Sequence, residues 1–249
     1  MAILFASRGG NTHESQGVIQ SASNTTTAPI VPAINEVTIF FHDRLLRANR
    51  STKVNTHQLM AFDSPNMKPL ATIGISIQDN IELFLKRPSH NVQPVQLHTN
   101  FDTRVLTLRL IPGFDDAMIR HIIERNITEQ LLKGLVLQLY GTGNMPSVKK
   151  SFIDLLSYAK HQCGIVIVAT TQCMTGSVQF GNYAVGTVME QQAGVVSAYD
   201  MTMEATVCKL AYLLGRQPET FTTKQVESLM STSLRGEITN QSLSSTRLK

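Results

Sequence analysis

The order of apolar and polar positions divides the chain into unequal parts. From residue 104 onward, compact apolar runs alternate with amphipathic stretches, the arrangement expected of strands and helices in a parallel α/β sheet. Arg104-Val105-Leu106-Thr107-Leu108-Arg109-Leu110-Ile111 predicts a strand, stopped by Pro112-Gly113. Asp115 and Asp116 then open a helix whose Met118, Ile119, Ile122 and Ile123 recur at one-face spacing. Leu135 to Tyr140 predicts the next strand and Gly141-Thr142-Gly143-Asn144-Met145-Pro146 the turn after it. Ser147 is expected to cap a helix that carries Val148, Phe152, Leu155, Leu156 and Ala159 inward. Gly164 to Ala169 is continuously apolar, as strands covered on both faces are, and a polar loop should run from Thr170 to Gly181. Asp200 is expected to cap a helix with Val207, Leu210, Ala211 and Leu214 on one face, and Thr222-Thr223-Lys224-Gln225 reads as a capping box opening a last helix.

The chain before residue 99 is patterned differently. Residues 1–35 are rich in Ser, Thr, Asn and Gln after the apolar Ala2 to Phe5, which predicts a flexible leader unrelated to the rest of the chain. Val37-Thr38-Ile39-Phe40-Phe41 predicts a buried strand. The basic run from His42 to Lys53 comes next, open to two readings: a solvated surface turn, or an electrostatic site at a strand end, where α/β proteins bind ligands. Short apolar pieces at 61–62, 70–73 and 81–85 are broken by Pro65, Pro69 and Pro88, and an interdomain linker is expected to end near residue 98. Residues 240–249 form a Ser-rich tail, expected to be disordered.

Composition narrows the function classes. With 249 residues, 42% of them apolar, the chain is neither a disordered nor a fibrous sequence. Lys and Arg total 22 against 18 Asp and Glu, and a net charge of +4 makes no case for nucleic acid or a membrane surface. No apolar run approaches the roughly 20 residues of a membrane helix, and Met1 to Leu4 is too short for a secretory signal, so a soluble, cytoplasmic protein is expected. Cys163, Cys173 and Cys208 suit neither a disulfide framework nor a zinc site. His98, His121 and His161 show no metal-ligand spacing, so no metal is expected. The Gly141-Thr142-Gly143-Asn144 turn lacks the third glycine of a dinucleotide fingerprint and Pro146 removes an amide donor, so no cofactor is expected. Cys173 has no histidine in its own loop to activate it as a nucleophile.

A longer series of motifs is more specific. Glu36 to Phe41, Arg50-Ser51-Thr52-Lys53, Ala61-Phe62-Asp63-Ser64-Pro65-Asn66, Leu70-Ala71-Thr72-Ile73-Gly74, Ile111-Pro112-Gly113 and Tyr140 to Asn144 occur in order. Thr170-Thr171-Gln172-Cys173-Met174-Thr175-Gly176, Tyr183 to Gly186, Asp200-Met201-Thr202-Met203-Glu204-Ala205-Thr206 and Leu234-Arg235-Gly236-Glu237 continue it. Over residues 36 to 239 the chain resembles bacterial-type L-asparaginases of the cytosolic, type I kind, and animal proteins of the same family labelled lysophospholipases.

The resemblance implies an α/β fold in which residues 36–98 end an asparaginase N-terminal domain and its linker, while 99–239 form a flavodoxin-like parallel-sheet C-terminal domain. It implies hydrolysis of the asparagine side-chain amide, with asparagine as substrate and homodimers or homotetramers as the assembly. In the family one threonine attacks the amide carbon, and a second, polarised by a lysine beside an aspartate, serves the proton transfers. Lys53 matches that lysine, and an ammonium close to an alcohol stabilises the alkoxide. Asn144 has two readings, a residue that shapes the substrate region or a turn-forming asparagine before Pro146, and Thr171 and Cys173 correspond by motif to an effector site for asparagine. Gln138 stands where bacterial relatives have an arginine, which removes a charge-assisted partner for the effector's carboxylate. The Thr-Gly-Gly-Thr and Gly-Thr-Asp-Thr segments of the family do not occur in this chain, and Thr12 in Arg8-Gly9-Gly10-Asn11-Thr12 stands one place late for the first. The chain therefore reads as an N-terminally truncated asparaginase that is inactive alone, or as a non-catalytic asparagine-binding or oligomerisation module. A stable C-terminal half is expected to carry a poorly supported remnant in which Val37 to Phe41 lacks partners.

Overall fold

The computed structural model describes residues 34–85, 97–145, 150–182, 184–217 and 220–239. The expected leader up to residue 33, most of the linker and the tail from residue 240 lie outside the described residues, as do Ser147 and Val148.

Strands β1 (Thr38–Phe41) and β2 (Arg44–Arg47) make an antiparallel hairpin with Thr38 opposite Arg47 and Phe41 opposite Arg44. His42 closes its turn in the left-handed region, at φ 57°. Strands β3 (Thr52–Lys53) and β4 (Phe62–Asp63) pair with each other, and β5 (Ala71–Ile73) and β6 (Ile77–Asp79) extend the hairpin into a sheet of order β1-β2-β5-β6. The strand expected to be buried is only half so: Thr38 is buried, but Val37 is 60% exposed. Nor is it without partners, since β2 pairs with it along its whole length. Ile73, Ile75 and Ile77 stand exposed at the β5–β6 hairpin.

The second sheet is parallel, as the alternation implied. Its strands β7 (Val105–Arg109), β8 (Gly134–Leu139), β9 (Val166–Thr171) and β10 (Val196–Ser197) lie side by side in chain order. Crossovers of one hand that always step the same way put their helices on one face. Accordingly α1 (Asp116–Glu129), α2 (Lys150–His161) and α3 (Ala184–Ala193) share the core that contains Leu135, Leu137, Ile165 and Ile167. The helices after the last strand, α4 (Met203–Leu214) and α5 (Thr223–Met230), cover the opposite face over Val136, Val166 and Val168.

Several local expectations need correction. Strand β9 runs on to Thr171 because β8 continues to pair with it through Leu139. In α1, Asp115 caps by accepting from the Ala117 N–H, but only Ile119 and Ile123 of the four apolar positions are buried, and Met118 is 73% exposed. Helix α4 is capped by Thr202, whose hydroxyl accepts from the Ala205 N–H, and Asp200 is engaged elsewhere. The Thr222–Gln225 capping box forms as expected.

The basic run between residues 42 and 53 is not a solvated turn, because Arg47 and Arg50 are buried, while Lys53 stands exposed at the end of β3. Arg50 is 2% exposed and makes a paired contact with Asp200, Nη1 to Oδ1 at 3.1 Å and Nη2 to Oδ2 at 2.7 Å. It also donates to the backbone oxygens of Glu237 and Asn66 and to the Thr239 hydroxyl. Arg47 is buried with Glu36 and reaches Leu83 O and Gly236 O. Gly236, at φ 73°, leaves no room for a Cβ, which would stand 2.5 Å from the Arg47 guanidinium. Two arginines of the N-terminal segment are thus desolvated against the C-terminal residues 200 and 236–239, and such groups must be paired to be tolerated.

Burial alone pushes the Asp200 carboxyl up, but the hydrogen bond and charge of Arg50, with Thr239, outweigh it and hold the group below its ordinary value of 3.8. The stability it contributes is therefore full above pH 3.8 and is lost as pH falls from there through the lower folded value. Between pH 7 and pH 5, limited proteolysis should find the connection near residue 98 equally resistant. Asp200→Ala strands a buried guanidinium and should cost about 3–5 kcal/mol in urea unfolding at pH 7, with residues 34–85 clipped away faster.

Candidate active site

Lys53 ends β3, opposite Phe62 in the register, and its side chain is exposed with no hydrogen bond or ion pair among the described residues. Its neighbours are held firmly. Ser51 is buried, donating to Arg47 O at 2.7 Å and sharing a hydrogen bond with Ser64. The Thr52 hydroxyl donates to Glu204 Oε1 of α4 at 2.6 Å. The short path from Arg50 to Lys53 is therefore fixed at each step while the ammonium stays free. Lys53, Val54, Asn55 and Thr56 line an open concavity of about 330 Å³. Thr56 Oγ1 lies 2.6 Å from His57 Nδ1, a contact that sequence reasoning did not anticipate. The backbone N–H groups of His57 and Gln58 are both taken by Asn55 Oδ1, at 2.8 and 2.9 Å.

The remaining candidates cluster at the carboxyl end of the parallel sheet. Thr171 Oγ1 donates to Gly141 O at 2.5 Å and accepts from the Cys173 N–H at 3.0 Å, tying the loop after β9 to the turn after β8. Gln172 Nε2 donates to Leu110 O and Gln138 O, at 2.6 and 2.9 Å. Asn144 forms the turn itself: it is bridged to Tyr140, and its Oδ1 accepts from the Met145 N–H at 2.9 Å. Asn66 joins this loop to the Arg50 centre, donating to Gly176 O and Asp200 O and accepting from the Gly176 N–H. The structure thus groups Asn144, Thr171 and Cys173 and keeps Lys53 in a separate ribbon. Asn66 was legible only as part of a motif, because its partners are 110 and 134 residues away. No group of three metal-ligating side chains occurs among the described residues.

This division into two units, with a lysine on one and a threonine-cysteine loop on the other, is matched by sequence comparison. The family model described as asparaginase, N-terminal, matches residues 11–88, and that of the glutaminase/asparaginase C-terminal domain matches residues 104–230. The chain belongs to the L-asparaginase family. L-asparaginase 1 of Escherichia coli is 39% identical over 206 residues, which cover 83% of this chain and 57% of that protein. The 60 kDa lysophospholipase of Mus musculus is 38% identical over 83% of this chain and 34% of its own length. Among solved structures, L-asparaginase I from Vibrio cholerae superposes with a TM-score of 0.69 at 34% identity, covering 84% of this chain and 59% of that one. The chain thus spans little more than half the length of these bacterial relatives. The N-terminal match begins at residue 11, inside the segment expected as an unrelated leader.

The Thr171 hydroxyl satisfies two backbone groups at once, so its removal leaves a carbonyl and an N–H without it. Water can reach both groups, so Thr171→Val should lower stability by only about 0.5–1.5 kcal/mol in urea unfolding, while Thr171→Ser should stay near the parent chain.

Proposed function

We propose that this asparaginase-family chain carries the ammonium part of an L-asparagine amidohydrolase site and releases no ammonia from asparagine by itself. The observation that carries the reading is Lys53: a cation held at a fixed place on β3, left without a counter-ion among the described residues, beside an open concavity. Amide hydrolysis by the covalent route that the family uses needs a hydroxyl to attack the carbonyl carbon, a proton donor for the departing nitrogen and donors to the oxyanion. Lys53 supports the first two by stabilising an alkoxide and feeding protons. The hydroxyl that shares its concavity, Thr56, stands outside the family's threonine motifs, and the N–H groups next to it are spent on Asn55.

The same proposal takes asparagine as the ligand, after the names of the related proteins, and assigns the rest of the site. Asn144 shapes the substrate region through its turn, and Thr171 and Cys173 belong to a second, effector site for asparagine. Assembly into homodimers or homotetramers is supported by the exposed Ile73, Ile75 and Ile77, and a cytoplasmic setting by three free thiols. Among the described residues no helix is long and apolar enough to cross a membrane.

Purified chain of this length, incubated with L-asparagine at neutral pH, should release ammonia no faster than its Lys53→Met variant. Release that Lys53→Met abolishes would overturn the proposal.

A further inference from the structure

The carboxyl ends of β7, β8 and β9 carry a row of three register partners. Arg109 pairs with Gln138 across β7 and β8, and Gln138 pairs with Thr170 across β8 and β9. Partner positions of parallel strands project to the same face of a sheet, with strands about 4.8 Å apart. Two residues back along β8 and β9 stand Val136 and Val168, both in the core beneath α4 and α5, so the row lies on that face at its outer end. Arg109 is exposed and has no hydrogen bond or ion pair among the described residues. The loop that holds Thr171 and Cys173 is fastened across this row, because the Gln172 side chain bridges Leu110 O and Gln138 O. Ligands of open parallel sheets sit outside these strand ends.

We propose that Arg109 is the carboxylate anchor of a small-molecule site at the ends of β7 and β8, taking the α-carboxylate of L-asparagine. This rests on the effector reading of Thr171 and Cys173. Position 138 supplies an amide where a guanidinium would pair with a carboxylate. The register restores that cation from the neighbouring strand, one interstrand spacing away and within the length of an arginine side chain. The fork of Arg109 can take both carboxylate oxygens, and the Gln138 amide can donate to one of them. The charge has moved across the ladder, and the recognition chemistry is retained.

Calorimetric titration of the full chain carrying Lys53→Met, so that the lysine site does not contribute, tests this with two probes. L-asparagine should bind, and L-asparaginamide, which lacks the carboxylate, should bind roughly ten- to a hundredfold more weakly. Arg109→Gln should weaken asparagine by a similar factor, leave asparaginamide unchanged and keep the thermal melt of its parent. Adding Gln138→Arg to Arg109→Gln should restore the preference for asparagine, which loss of packing alone would not allow. If neither probe binds the parent, the effector reading falls and this inference with it. If asparagine binds with its preference intact in Arg109→Gln, the effector reading stands and Arg109 is not the anchor.

Discussion

The contact between Arg50 and Asp200 sets what the rest of the molecule can do. A guanidinium that is 2% exposed has surrendered nearly all its hydration, and its cost is offset only through acceptors such as those that meet both Nη1 and Nη2. The acceptors come from three places distant in the chain: Asn66 of the N-terminal segment, Asp200 before α4, and Glu237 with Thr239 after α5. No one of these segments could bury that charge alone. The two sheets are joined by an interaction that rewards only the complete arrangement, and Lys53 lies just beyond it in the chain.

A second buried pair works beside the first. Lys209 of α4 lies 2.7 Å from Glu237, with side chains 6% and 5% exposed, and also donates to Met230 O and Thr232 O. Burial drags the Lys209 ammonium below its ordinary value although Glu237 pulls the other way. Glu237 in turn receives the Leu234 and Arg235 N–H groups, which fixes the loop whose Gly236 admits Arg47. Residues 234–239 are therefore a clasp rather than a trailing end. The clasp explains why the small antiparallel sheet, with isoleucines exposed at its far hairpin, keeps a defined relation to the larger one.

How much of this is legible in the sequence depends on the range of each interaction. The parallel strands and the capping box announce themselves because apolar runs and Thr-x-x-Gln spacing are local signals. Strand β10, two residues long, and α3, which carries Gly186 in its first turn and shows little polarity contrast, escape sequence reading because neither has a strong period. The basic run misleads for a different reason. Arginine is usually solvated, so composition favours a surface turn; burial of Arg47 and Arg50 is decided by partners that stand between 11 and 189 residues away. Asp200 shows the same limit, since an acid just before a helical threonine looks like a cap until its partner is known.

The site inherits this division. Motifs locate Lys53, Thr171 and Cys173, but no spacing could say that the first is free and the second bound on both sides of its hydroxyl. A cation without a counter-ion and a hydroxyl engaged on both sides are opposite electrostatic states. The two are connected through Asn66, which holds Gly176 from both sides and passes its own carbonyl to Arg50. Movement of the loop at the sheet end breaks both bonds between the Asn66 amide and Gly176, next to the carbonyl by which Asn66 serves the desolvated Arg50. The consequence is a stiff junction: whatever binds at the ends of β7 and β8 meets a loop already committed to the segment that carries the lysine.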